Sequence, residues 1–325
     1  MSTAPVTLLG TDRFADLVAL GTRAPSLHNS QPWRFRRDGD AVEVFADPDR
    51  LLPATDPTGW GTRIALGAAA YDLRLGYALL GWRAEAEPYP EPGEEHLVVR
   101  VRPVAEHPAT PAERALAAAI PRRHTNRRPY LDTPVPDATL TALAAAAEAE
   151  ACRLTVLDAG ALGEVADLLR GADEELARRP GYAEELHRWA RGASSAPDGV
   201  AWDVLSGLPH PDERLRRRDF GAPAVGLARR YESDPCVAVL SSAGRSRYDE
   251  LRAGQALQHV LLRATADGLT SSLYSQPVEV ATARERLAAL CGGIPQMVLR
   301  VGYGLAHGPA PRRSVPEVVL PDRER

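Results

Sequence analysis

Lysine is missing altogether: all 39 basic residues are arginine. That removes lysine Schiff-base chemistry, pyridoxal phosphate enzymes among it, and the lysine of a Walker A loop. Cysteine is scarce, with Cys152, Cys236 and Cys291 far apart and no C-x-x-C, so neither a disulfide framework nor a cysteine-rich zinc site is expected. The eight histidines show no H-E-x-x-H and no pair at helical spacing, which leaves no metal pattern. No G-x-S-x-G elbow and no strand-following G-x-G-x-x-G is present. Long apolar runs are also lacking. The best candidate, IALGAAAYDLRLGYALLGW, carries Asp72 and Arg74 in its middle, and MSTAPVTLLGTDRF has no basic leader region. A net charge of -4 gives no general attraction to nucleic acid or anionic lipid. The expectation is a cytoplasmic chain with no membrane and no nucleic-acid partner.

What is present is ordinary globular material: 325 residues, 44% apolar and 25% charged, about two domains by length. Patterning predicts mixed α and β. A helix is expected over residues 12–22, and strands over 33–37 and 42–45 across the Asp38-Gly39 turn. A long helix should bury Ile64, Ala68, Tyr71, Leu75, Ala78 and Trp82 on one face. A second should bury Leu251, Gly254, Leu257, Leu261 and Thr265 and end at Asp267-Gly268. The offset that lays Gly67 on Gly254 also lays Gly81 on Gly268, and a similar offset lays Val98, Arg100 and Val101 on Val298, Arg300 and Val301. The ordered matches predict a duplication, with halves at residues 1–110 and 111–325. The alternative is that two amphipathic helix-strand units merely look alike. Residues 180–221, rich in Arg, Pro, Gly and Asp but holding Trp189 and Trp202, have no counterpart and read as a lid insertion. Residues 309–325 read as an extended arm over the surface.

Four segments could carry chemistry. In APSLHNSQPWRF, Pro25 and Pro32 bracket Ser26, His28, Asn29, Ser30 and Gln31, a polar cradle for a heteroatom-rich ligand or else a well-capped surface loop. PRRHTNRRPY places four arginines in seven positions, which suits phosphate, a solvated charge run or, less well given the acidic balance, nucleic acid. GLTSSLYSQPVEV follows the second long helix with Tyr274 and Gln276. The tail APRRSVP offers Arg312 and Arg313 to an anion.

Together these segments resemble the FMN-dependent nitroreductase superfamily. Its arginine-rich flavin-binding start is similar to Arg122, Arg123, His124, Thr125, Asn126 and Arg127. Its P-S-x-x-N-x-Q-P-W loop is matched by Pro25, Ser26, Leu27, His28, Asn29, Ser30, Gln31, Pro32 and Trp33. The stretch over the isoalloxazine looks like Leu273, Tyr274, Ser275 and Gln276, and the phosphate clamp looks like Arg312-Arg313. The resemblance implies an α+β fold and family dimers that hold FMN between the arginine motif of one subunit and the proline–asparagine loop of the other. Here the loop lies in the first half and the motif opens the second, so the resemblance implies a fused pseudo-dimer, monomeric or further associated, with one FMN site.

The arrangement is similar to the actinobacterial Acg branch. That implies hydride transfer through FMN from NADPH or NADH to a small electron-poor acceptor, or FMN storage with little such turnover. By the same resemblance Arg122, Arg123, Arg312 and Arg313 would neutralise the phosphate, and Arg127 would approach the pyrimidine edge. Ser26 and Asn29 would hold the ribityl and ring polar atoms, and Tyr274 would cover the ring. The flavin would carry the chemistry with no catalytic side chain. His187, Arg188 and Trp189 are the lid residues expected near substrate.

Overall fold

The computed structural model describes residues 8–192, 196–202, 213–221, 232–305, 308 and 310–323. The first half runs α1 (Thr11–Gly21), β1 (Trp33–Asp38), β2 (Ala41–Ala46), α2 (Trp60–Leu79), β3 (Trp82–Pro88) and β4 (Leu97–Glu106). After α3 (Pro111–Ala119) come α4 (Asp137–Glu148), β5 (Arg153–Val156) and α5 (Ala159–Ala177). The insertion follows with α6 (Tyr182–Trp189) and the short parallel pair β6 (Ala190–Arg191) and β7 (Val200–Ala201). Then come β8 (Cys236–Ser242), α7 (Arg247–Ala266), β9 (Thr270–Tyr274), α8 (Gln276–Glu279), α9 (Ala281–Cys291), β10 (Ile294–Gly302) and α10 (Val315–Val318).

The two larger sheets are antiparallel and ordered β1-β2-β4-β3 and β5-β8-β10-β9. Each places its long helix between its second and third strands in chain order, so the two sheets repeat one strand-and-helix order. The predicted hairpin at Asp38-Gly39 joins β1 to β2, and Gly39 supplies the left-handed turn with φ +59.

Helices α2 and α7 lie against each other between the sheets. Most of the 20 residues of α2 are buried, more than the single apolar stripe that the sequence pattern predicts, because it packs on its own sheet and on its counterpart. Trp82 is not on this helix: Gly81, at φ +86, ends it, and Trp82 opens β3.

The two glycines matched in sequence meet in space. A Cβ on Gly67 would lie 2.0 Å from the Leu251 carbonyl oxygen, and one on Gly254 would lie 2.2 Å from that of Ile64. The contacts are reciprocal, as about a two-fold axis. Around that axis Arg63 pairs with Glu250, and Tyr71 stacks on His259 with centroids 4.9 Å apart. Gln258 Nε2 donates to both carboxylate oxygens of Asp72, at 2.8 and 3.0 Å.

Asp72 is fully buried, and desolvation raises its pKa to about 8 against the opposing pull of Gln258 and Arg123. The folded chain therefore holds this proton at pH values where the unfolded chain has lost it. Stability falls as pH rises from the ordinary carboxylate range to about 8. Asp72→Asn removes the charge and offers an amide donor beside Gln258, whose Oε1 has no partner among the described residues. The variant should melt with the parent near pH 4 and be more stable by about 1–3 kcal/mol at pH 9. Melting curves at the two pH values test this, and an equal offset at both would count against it.

The arm does more than cross the surface. Val319 bridges Phe35 in parallel, Leu320 N donates to the Phe35 carbonyl at 2.7 Å, and Val318 is fully buried. The second half's tail thus covers the open β1 edge of the first half's sheet, where unpaired strand groups would otherwise face water. Arg313 anchors it to Asp47 at 3.2 Å. No helix among the described residues is long and apolar enough to cross a membrane.

Candidate functional site

Between the halves lies a cleft lined from both sides. Pro25, Ser26, Leu27 and His28 line it from the first half, with Gly61, Ile64 and Ala65 at the start of α2. Thr125 and Arg127, Leu257 of α7, and residues 272–276 line it from the second. The proline–asparagine loop, the arginine segment and the stretch after the second long helix, far apart in the chain, therefore share one crevice.

The loop is held in a demanding conformation. His28, Asn29 and Gln31 have φ of 54, 55 and 52, left-handed values that cost about 1 kcal/mol or more per non-glycine residue. Such a backbone persists only where its surroundings dictate it. Ser26 Oγ accepts from the Gln31 amide at 3.0 Å. Gln31 Nε2 donates to the Pro197 carbonyl at 2.8 Å, and Gln31 Oε1 accepts from the Arg313 amide at 2.9 Å. Asn29 Nδ2 donates to the Gly199 and Pro311 carbonyls at 3.1 and 3.2 Å, while its Oδ1 accepts from Arg312 Nη1 at 2.9 Å. Asn29 and Gln31 thus tie the loop to the insertion and the arm.

His28 is left facing the cleft, with Nε2 3.3 Å from Thr55 Oγ1 and its ring edge-on to Phe220 at 5.2 Å. Burial first, then Arg218 and Arg127, push its pKa well below the usual imidazole value, so it is neutral at pH 7.

The arginine segment is set by α3. A capping box at Thr110 and Glu113 starts that helix, and the Arg123 amide, bonded to the Ala119 carbonyl at 2.9 Å, turns its side chain inward. Asn126 N donates to the Ser271 carbonyl at 2.8 Å, which ties the segment to β9. Arg123 is buried, its Nη2 donates to the Arg23 carbonyl at 3.1 Å, and among the described residues its Nε has no partner. Arg312, from the arm, donates to the same carbonyl at 3.0 Å and to those of Thr22 and Ala24 at 2.7 and 3.0 Å.

Desolvation lowers the Arg123 pKa to about 10. Burial, then Arg123 and Arg23, lower that of Arg312. Among the described residues Asp72 is the carboxylate that acts on all three cations, and it is itself biased toward its neutral form. Arg23, Arg123 and Arg312 form a cationic knot. Neither Arg123 nor Arg312 lines the cleft, but Ala24 and Thr125 are one step from residues that do or line it themselves.

The other predicted anion ligands lie elsewhere. Arg122 is exposed, with Nε on the Ala118 carbonyl at 3.2 Å, and His124 Nδ1 is 3.0 Å from the Arg122 carbonyl. Arg313 is spent on Asp47 and on the Glu317 carbonyl, the latter at 2.8 Å. Leu273, Tyr274, Ser275 and Gln276 all line the cleft, and burial raises the Tyr274 pKa.

The insertion reaches the cleft through Arg217, Arg218 and Phe220 rather than through His187, Arg188 and Trp189. His187 and Arg188 are exposed, and Trp189 is packed under the guanidinium groups of Arg50 and Arg191, each 5.6 Å from its ring. A tryptophan in a polar insertion serves here as its own small core. Residues 193–195 and 203–212 of the expected lid, and 309, 324 and 325 of the expected arm, lie outside the described residues. Arg218 fastens the insertion: it donates to Tyr182 Oη at 2.5 Å and Ser275 Oγ at 3.1 Å, and pairs with buried Glu279 at 2.6 Å. The sequence reading missed Arg23, Asp72 and the two insertion arginines. The R-R-R-D run at 216–219 was the available signal for the last.

No family model matches the chain. Two Mycobacterium tuberculosis proteins match along almost its full length. One, named "Putative NAD(P)H nitroreductase Rv3131", is 34% identical over 93% of this chain and 90% of its own. The other, named "Putative NAD(P)H nitroreductase acg", is 32% identical over 97% of each. The chain belongs to the nitroreductase family. The fold agrees: a crystal structure from Anabaena variabilis, described as a "putative nitroreductase", superposes with a TM-score of 0.51 at 10% identity, over 90% of this chain and 88% of that one. Because this family member repeats its topology within one chain, both walls of the cleft come from the same polypeptide.

Proposed function

We propose that the cleft holds FMN, with its phosphate at Arg23, Arg123 and Arg312 and its ring system among Pro25, Ser26, Leu27, Thr125, Arg127 and residues 273–276. One observation carries this reading. Two guanidinium groups from the second half share the Arg23 carbonyl at the root of the first half's Pro25 loop, and the buried Arg123 Nε has no partner among the described residues. Arginine forks suit a phosphate dianion, and burial makes leaving them without one costly. Arg127 brings a cation to the pyrimidine edge, Ser26 offers a hydroxyl, and Tyr274 and its neighbours cover one face of the ring. Bound FMN supplies hydride transfer at N5, from NADPH or NADH to a small electron-poor acceptor. No side chain is assigned as acid or base. The halves at residues 1–110 and 111–325 build a single site, so one copy suffices.

The names of the two mycobacterial relatives support turnover with NAD(P)H. The buried Arg218–Glu279 pair that fastens the insertion across the cleft favours a second reading, FMN storage. Titration with FMN and with riboflavin, followed by flavin fluorescence, tests the ligand: FMN should bind at least about 100-fold more tightly, since about 3 kcal/mol is ordinary for charge-assisted bonds to one phosphate. Equal affinities would overturn the phosphate assignment. Anaerobic NADPH and NADH then separate the readings, because bleaching marks an oxidoreductase and a persistent yellow colour marks storage.

A further inference from the structure

Asp72 sits where the end of α1, the end of α3 and helix α7 converge on α2. A Cβ on Gly21, two residues before Arg23, would lie 3.4 Å from Leu73. Tyr71, Leu75, Ala119, Ile120 and Leu262 pack in one apolar cluster on the same stretch of α2. The Asp72 carboxyl is fully buried, and both its oxygens accept from Gln258 Nε2, at 2.8 and 3.0 Å. Among the described residues neither oxygen is paired with an arginine. Its charge nonetheless acts on Arg23, Arg123 and Arg312, and each of the three pulls back on its carboxyl. The titratable neighbours are neutral near pH 7: burial raises the Tyr71 hydroxyl far above its usual value and, with Arg74 and Arg263, lowers His259 to about 4. Farther out, Arg74 pairs with Glu150 and Arg263 with Asp267, each at 2.7 Å, and Glu113 caps α3.

We propose that Asp72 is the internal competitor of the flavin phosphate: as the dianion reaches Arg23, Arg123 and Arg312, Asp72 takes up a proton, so the site binds phosphate more weakly as pH rises. The proposal rests on the FMN reading. Two anions that draw on the same guanidinium groups are not both fully compensated. A negative charge brought near a buried carboxyl favours its neutral form, and by linkage the ionised carboxylate disfavours the phosphate by the same factor. The proton comes from solvent, and its resting place is prepared. Protonated Asp72 can donate to Gln258 Oε1, which has no partner among the described residues, while its other oxygen still accepts from Nε2. An amide therefore suits both states of the carboxyl, where a guanidinium would suit only the ionised one. Asp72 already stands close to this change, because burial lifts its pKa to about 8 against Gln258 and the three arginines. A phosphate that engages those arginines moves it further up.

The experiment uses the full chain with FMN, and with riboflavin as the ligand that lacks the phosphate. Calorimetric titrations at about pH 8, in two phosphate-free buffers of different ionisation heat, count the protons exchanged on binding. FMN should take up about 0.4 proton per molecule bound, the change for a carboxyl whose pKa rises from about 8 to about 9. Riboflavin should take up less than about 0.1. FMN affinity should fall about 5-fold from about pH 7 to about pH 9, a range in which its own phosphate stays a dianion. Asp72→Asn should abolish both the uptake and the pH dependence, which a merely structural role for Asp72 would leave in place. Uptake below about 0.1 proton with FMN in the parent chain, equal uptake with riboflavin, or full uptake surviving in Asp72→Asn, which would put the proton on an arginine, would each overturn the proposal. The parent comparison decides the matter even if that variant does not fold. Failure to bind FMN at all is a separate result that overturns the flavin reading, whereas binding without proton uptake overturns this proposal alone.

Discussion

Gly67→Ala is expected to destabilise the chain by about 3 kcal/mol, because the new methyl group has nowhere to go. Its carbon would sit 2.0 Å from the Leu251 carbonyl oxygen and 3.1 Å from the Gly254 Cα. Both are backbone atoms of a buried helix, so no side chain can swing aside. Relief requires α2 and α7 to separate, and their contact lies at the centre of the fold. Gly254→Ala should behave alike, since its Cβ would meet the Ile64 carbonyl oxygen at 2.2 Å. Gly171→Ala is the control: it sits in α5 with no atom within 4 Å of the added carbon, and should be neutral or stabilising by up to about 1 kcal/mol. Denaturant midpoints compare the three. A Gly67→Ala midpoint equal to the parent's would show that the two helices do not meet as described. The same separation should weaken flavin binding, because Gly61, Ile64 and Ala65 of α2 face Leu257 of α7 across the cleft.

How much of this was legible depends on whether a feature is local in sequence. The Pro25–Trp33 string could be read directly because its polar residues, prolines and spacing are all contained in one loop. The matched glycines could also be read, since a small residue at equivalent points of two long helices marks close approach, although only the structure shows that the two points meet each other. Asp72 entered the sequence reading as an obstacle to a membrane span, but its partner Gln258 is 186 residues away and no local pattern announces such a bond. Arg23 falls just past the helix expected over residues 12–22, and its importance comes from a carbonyl shared by two arginines from the other half. Asn29 and Gln31 were expected to face a ligand. Their side chains bond to the arm and the insertion, through contacts that periodicity cannot foresee. The resemblance likewise gave Arg122 and Arg123 the same role, whereas the turn after α3 buries Arg123 and leaves Arg122 in water.

That difference between neighbours makes the second large prediction specific. Arg123→Met should lower FMN affinity by about 30- to 1,000-fold, or about 2–4 kcal/mol, and leave riboflavin affinity within a few-fold of the parent. Among the described residues its side chain makes one hydrogen bond to protein, so methionine can fill the space at little structural cost. Arg122→Met, one residue away but exposed, should change FMN affinity by at most a few-fold. Arg312→Met should lose FMN as Arg123→Met does and should also lose stability, because its guanidinium braces the carbonyls of Thr22, Arg23 and Ala24 and the Asn29 side chain. Combining the two should cost less than the sum of the single losses, since both cations serve one dianion and either alone leaves it half neutralised. The measurement is a double-mutant cycle on FMN and riboflavin dissociation constants, with melting temperatures in parallel. If Arg123→Met weakened both ligands equally, the phosphate would have to lie elsewhere, and the partnerless Arg123 Nε would need another anion to explain it.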